Sequence, residues 1–268
     1  MRNLPRFVFI LLLVLILAAC TQVPVTGRSQ LNFIPNSQIM SMSSQQYQEF
    51  LQENKVVKGT AEARMVQSVG ARVAGAVEAY FRQEALSDRI SDYKWEFNLV
   101  ADDQINAFAM PGGKVVVYEG LLPVSKTEAG LAAVIGHEVA HAVAEHGSER
   151  MSQLLLTQLG GMALSVALSD KPQETQALYM TAFGLGTTVG LVLPFSRLQE
   201  KEADHLGLIF MAMAGYDPHE AVTLWERMAA QKDGAGVPEF LSTHPADQTR
   251  ISLLKDYLPE AMRYYHPQ

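Results

Sequence analysis

The sequence predicts an α+β fold in which helices dominate, and three observations point there. Met65, Val69, Val73, Val77 and Phe81 recur at a step of four, the spacing of one helix face. Trp95, Phe97 and Leu99 alternate with Glu96, Asn98 and Val100, the period of a strand. Asn106–Met110 and Lys114–Tyr118 flank the breaker Pro111-Gly112-Gly113, which reads as a hairpin. The expected result is a small antiparallel sheet among several helices. With 48% hydrophobic and 18% charged residues in 268, the chain can bury a large core. The net charge is -7 and no basic cluster stands out, which argues against a nucleic-acid partner.

Taken in order, Arg2 and Arg6 precede an unbroken apolar run, Phe7 to Ala19, that ends in small residues. That pattern predicts a signal peptide over residues 1–19. Cys20 is the one cysteine in the sequence. Its position resembles the lipobox of bacterial lipoproteins, which implies lipid on Cys20 and a membrane anchor that does not span. An ordinary signal with an incidental thiol and an uncleaved anchor helix are the alternatives. By the same analogy Thr21 favours the outer membrane over the inner one, so a periplasm-facing site in a bacterial envelope is expected. Residues 20–35, with Pro24, Gly27 and Pro35, read as a tether, and 36–268 as the folded domain. Helices are expected over Asn36 to Asn54 and Thr60 to Glu84. Another starts at a Ser125 or Thr127 cap and runs toward a stop at Gly147. Met151 to Ser169 and Thr175 to Ser196 contain no charged residue. Gln, Ser, Thr and Gly dilute them, so buried or membrane-facing helices are expected rather than spans.

The chemistry centres on His137-Glu138-Val139-Ala140-His141. Two imidazoles four apart share a helix face, one turn from each other, and suit zinc. Glu138 points about 100° round the helix and can reach a water without ligating the metal. That pattern divides the labour into two ligands and one general base. Gly136 lets another backbone come close. Catalytic zinc needs a third protein ligand. The downstream segment Ser196 to Asp204 offers Glu200 and Asp204 on one face. Glu200 is assigned as the ligand and Asp204 as the carboxylate behind a ligand histidine. A plain charged face, with Arg197 and Lys201 as partners, competes on spacing alone.

With HEVAH, SR-x-x-E-x-x-AD, NAFAMPGGKVVVYEGLL, Pro24 to Arg28 and Thr243-His244-Pro245 followed by Arg250, the chain resembles a known family. It is similar to the HtpX and prenyl-protease group of zinc metallopeptidases, especially its periplasmic lipoprotein and Oma-type members. The resemblance implies a gluzincin-type domain with one zinc per chain on His137, His141 and Glu200. It also implies Glu138 as base, Asp204 behind the ligands, and an edge strand where Asn106, Ala107 and Phe108 pair with substrate; plain sheet structure is the other reading of those three. His244 either stabilises an oxyanion, closes the metal's fourth position or is a turn residue; Arg250 either fixes the C-terminal segment or aids the transition state. The expected activity is endoproteolysis of unfolded or misassembled polypeptides in protein quality control. A zinc-stabilised assembly factor or chaperone that cuts little is the alternative from another class.

Overall fold

A computed structural model describes residues 20–23, 26–188, 193–231 and 238–267. The signal-peptide expectation for residues 1–19 lies outside the described residues. The chain forms two compact units. One is built from described parts of Met1–Ile39 and Glu145–Gln199, the other from Met40–Ala144 and Glu200–Gln268.

The larger unit carries a four-stranded sheet of β3 (Val56–Val57), β4 (Glu96–Val100), β5 (Ala107–Met110) and β6 (Lys114–Tyr118), in the order β3-β4-β6-β5. The sheet is mixed, not antiparallel as expected. β3 and β4 are antiparallel, β5 and β6 form the expected antiparallel pair, and β4 and β6 run parallel. Every residue of β6 is buried. A strand apolar on both faces belongs in the middle of a sheet. Lys114-Val-Val-Val-Tyr118 therefore takes the centre and leaves β5 on the edge. The turn between them needs left-handed backbone, and Gly112 and Gly113 supply it at φ 85° and 83°.

Helices cover both sheet faces. Tyr47, on α1 (Asn36–Glu53), clusters with Val100, Val116 and Tyr118. On the other face Phe97 packs so tightly on α2 (Ala61–Gln83) that a side chain at Gly70 would overlap its ring. Thr60 caps α2, its Oγ1 accepting from the N–H of Ala63 at 3.1 Å. After a helical turn, α3 (Leu122–Ser125), comes α4 (Glu128–Val143). Thr127 is its cap, accepting from the Gly130 N–H at 3.0 Å, and every residue from Gly130 to Val143 is buried. The helix does not continue to Gly147. The chain breaks at Glu145, in left-handed conformation at φ 60°, and α5 (His146–Ala167) follows. His146, the first residue of α5, is fully buried.

The smaller unit pairs β1 (Cys20–Gln22) with β2 (Ser29–Leu31) and holds α5, α6 (Gln173–Thr187) and the start of α7 (Leu193–Met213). Arg28 grips Glu149 through two bonds of 2.7 and 2.8 Å, and the Gln199 amide donates to the same carboxylate. The larger unit closes with α8 (His219–Ala230), α9 (Glu239–Thr243) and α10 (Gln248–Ala261). Among the described residues, no helix is long and apolar enough to cross a membrane.

Candidate metal centre

Three elements of the larger unit converge on one point. α4 supplies His137, Glu138 and His141; α7 supplies Glu200 and Asp204; the segment from α9 into α10 supplies His244 and Arg250. All seven are buried. α4 and α7 approach closely because both carry glycine where they cross. A Cβ on Gly136 would lie 2.9 Å from the Gly207 carbonyl oxygen, and one on Gly207 would lie 2.9 Å from the His137 nitrogen. Gly207 is thus the backbone for which Gly136 leaves room.

Ligand atoms of His137, His141, Glu200 and His244 all lie within 4.8 Å of one another. His137 Nε2 is 3.1 Å from both His141 Nε2 and His244 Nδ1. Glu200 oxygens lie 3.4 Å from His137 Nε2, 3.2 Å from His141 Nε2 and 2.9 Å from His244 Nδ1. Tetrahedral zinc with bonds of roughly 2.0–2.1 Å spaces its donors roughly 3.3–3.4 Å apart, so these edges fit. Charge fits as well. Glu138, Glu200 and Asp204 face the single cation Arg250, and a dication offsets the surplus of negative charge in a dry pocket. Neither Glu145, Glu149, Asp170 nor Glu174 belongs to this group.

Asp204 Oδ1 sits 2.9 Å from His137 Nδ1. An ionised carboxylate only accepts, so Nδ1 carries the hydrogen and Nε2 keeps its lone pair for a metal. Arg250 clamps the same carboxylate with bonds of 2.6 and 2.8 Å. The guanidinium, a donor only, packs against the His137 ring rather than bonding to its protonated Nδ1. Its Cζ also lies 3.3 Å from the centroid of Trp225, whose ring stacks on Phe240. Trp225 and Phe240 form an aromatic floor that no local pattern in the sequence announced.

Burial alone pushes the Glu200 carboxyl up, but the imidazoles of His141, His137 and His244 outweigh it and hold it well below the usual carboxylate range. At His137, burial and Arg250 both disfavour the imidazolium. Asp204 and Glu200 overcome them and raise it to about 9. Protons therefore compete with a metal for this pocket.

Glu138 is held at one oxygen only. Its Oε2 accepts from the Ala109 N–H at 3.2 Å. Among the described residues its buried Oε1 has no hydrogen-bond partner, and His244 Nε2 lies 3.5 Å from it. The Ala109 contact identifies the free edge of β5. The Tyr118 N–H donates to the Asn106 carbonyl, so residues 106, 108 and 110 exchange bonds with β6. Ala107 and Ala109 turn their backbone groups outward. Asn106 precedes the strand and its Oδ1 accepts from the Ala107 N–H at 2.9 Å. Phe108 packs its ring on Phe50 and Tyr118. Ala109 was not among the residues the sequence singled out; counting alternate positions from Ala107 reaches it. Among the other histidines, His205 stacks on Tyr257 and meets Glu260, while His219 meets Asp217 locally.

Comparison with known proteins gives this geometry its context. A model of peptidase family M48 matches residues 61–258. The chain is similar to the mitochondrial metalloendopeptidase OMA1 of Schizosaccharomyces pombe, 43% identical over 173 residues, which are 64% of this chain and 49% of that protein. Metalloendopeptidase OMA1, mitochondrial, of Homo sapiens is 29% identical over 90% of this chain and 46% of its own length. The beta-barrel assembly-enhancing protease of Escherichia coli (strain K12) is 32% identical over 59% of this chain and 33% of its own length. The chain thus spans about half or less of the curated relatives it matches. These matches overturn the expected bacterial envelope location, outer membrane included. The expectation rested on the N-terminal pattern alone, whereas relatives matched over as much as 90% of the chain are named as mitochondrial proteins.

Proposed function

The chain belongs to peptidase family M48, and from that premise we propose that it is a zinc-dependent endopeptidase acting on extended, unfolded or misassembled polypeptides. The observation that carries this reading is the meeting of His137, His141 and Glu200 beside a general base with one unpartnered oxygen. His137, His141 and Glu200 would hold one zinc ion, with Asp204 fixing the His137 tautomer. When bound, zinc polarises a carbonyl and makes a nearby water acidic.

The rest of the chemistry belongs to this chain's own residues. An extended substrate adds to the edge of β5, where Ala107 and Ala109 present outward backbone groups. Pairing there displaces the Ala109 N–H from Glu138 Oε2 and frees the carboxylate. Glu138 Oε1 takes a proton from the attacking water and returns it to the leaving amine. Water is the nucleophile, so no acyl-enzyme forms. Burial of all seven site residues keeps bulk water from competing for these hydrogen bonds. Lipid on Cys20 is proposed as the membrane attachment; palmitate labelling that survives in Cys20→Ser would disprove it.

The experiment is Glu138→Gln. Zinc content and fold are expected to persist while cleavage of an unfolded protein such as reduced casein is lost; persisting cleavage rules the mechanism out. One observation favours a second reading. His244 Nδ1 stands where a fourth donor would, which closes the site in this state. An assembly factor with a zinc-stabilised fold and little proteolysis would keep its cellular function in the same Glu138→Gln variant.

A further inference from the structure

We propose that the outward face of α5 docks on a lipid surface. One side of α5 is packed against α6, where a side chain at Gly160 or Gly161 would meet Phe183. The opposite side bears Met151, Leu155, Leu159, Met162 and Val166. Their steps of four, four, three and four place them in one stripe about 80° wide and about 22 Å long. These five side chains are between 38 and 75% exposed. α6 adds exposed Leu178, Tyr179 and Leu185. Outside these two helices, Met42 and Leu198 are the only strongly exposed large apolar side chains among the described residues. Such segregation marks an interaction surface rather than ordinary scatter.

The occupant follows from charge and continuity. No Asp, Glu, Lys or Arg occurs from Met151 to Ser169 or from Thr175 to Ser196. A protein interface carries a polar rim around its apolar centre; here the charges, Arg150 at one end and Asp170, Lys171 and Glu174 at the other, stand beyond the ends of the stripe. Neither helix is apolar enough to cross a bilayer, so the stripe lies along a lipid surface. Continuity points the same way. β1 opens directly after the uncharged apolar run Phe7 to Ala19. β2 and its neighbours are fastened to α5 and its cap through Arg28 to Glu149, Asn32 to Glu145, and the Phe33 N–H to Ser152 Oγ. The strand that follows this run thus belongs to the same compact unit as the exposed stripe.

The lone cysteine makes a local test possible. In a Cys20→Ser background of the full chain, Leu159→Cys and Val166→Cys on α5 and Lys255→Cys on α10 each take an environment-sensitive fluorophore. The chains are then bound to phosphatidylcholine–phosphatidylglycerol vesicles with or without doxyl-labelled lipid. Phe7 to Ala19 can hold the chain on vesicles in every case, so the readout is the probe's surroundings rather than binding itself. The α5 probes are expected to shift to the blue and to be quenched about twofold or more by doxyl lipid, with the α10 probe unchanged. Leu155→Glu added to the Leu159→Cys chain is expected to abolish the quenching while far-UV circular dichroism stays the same. The proposal is overturned if the α5 probes on vesicle-bound chain remain as wet as the α10 probe. It is equally overturned if the blue shift needs no lipid and grows with protein concentration, the mark of a second copy on the stripe.

Discussion

The crossing of α4 and α7 at Gly136 and Gly207 ties a packing detail to metal affinity. In Gly136→Ala the new methyl would lie 2.9 Å from the Gly207 carbonyl oxygen. That is about 0.5 Å short of comfortable contact, and the obstacle is backbone, which cannot swing aside. The helices must part by roughly that amount. α4 carries His137 and His141 and α7 carries Glu200, so the donor edges of 3.2 and 3.4 Å between them lengthen together. Metal sites tolerate deviations of roughly 0.2 Å. Overpacking costs about 1–3 kcal/mol, and alanine's helix propensity offsets about 1 kcal/mol of it. A loss of about 10–100-fold in zinc affinity is expected, with a midpoint lowered by a few degrees at most. Gly75→Ala is the control, because α2 there is exposed and nothing lies within 4 Å of the added methyl. Chelator competition reads the affinity and thermal unfolding by circular dichroism reads the stability. Should Gly136→Ala hold zinc as tightly as Gly75→Ala, the ligand geometry is not set by this crossing and the reasoning fails.

Two further outcomes follow from the site's electrostatics. His137 is raised to about 9 in the metal-free chain, so its contribution to stability is complete below its ordinary value near 6.5 and fades as pH rises through about 9. Zinc must displace that proton, so apparent zinc affinity is expected to rise up to about tenfold per pH unit between roughly 6.5 and 9, measured by competition titration. Arg250→Met strips the buried Asp204 of its cation and is expected to cost about 3–5 kcal/mol. A double-mutant cycle with Asp204→Asn, followed by chemical denaturation, should recover part of that loss; simple additivity would mean the two do not act as a pair.

Much of this was legible because it is local. HEVAH sets its own geometry through helical spacing, Thr127 and Thr60 cap by chemistry carried within three residues, and Gly112-Gly113 announce a turn that few other residues can make. What escaped depends on partners far along the chain. The parallel pairing of β4 with β6 requires β6 to insert between β4 and the intervening β5, which no window of sequence displays. The end of α4 was misplaced because a non-glycine residue, Glu145, takes the left-handed conformation there while Gly147 sits inside the next helix. Trp225 and Phe240 look like ordinary core residues until α8 and α9 bring them under Arg250 and His244.

The electrostatics give a reason for the fold to hold a metal rather than tolerate an empty polar pocket. Glu138, Glu200 and Asp204 are buried with one guanidinium between them, and an uncompensated buried charge is among the costliest features a core can contain. Without metal, the chain recruits protons, as the raised His137 shows. A dication removes the need for them and links α4 to α7, with 62 residues between His137 and Glu200. Binding free energy at this point is therefore folding free energy. Arg250 shares its charge between two of these carboxylates, Asp204 at 2.6 Å and Glu200 at 3.2 Å, while Glu138 Oε1 stays unbonded.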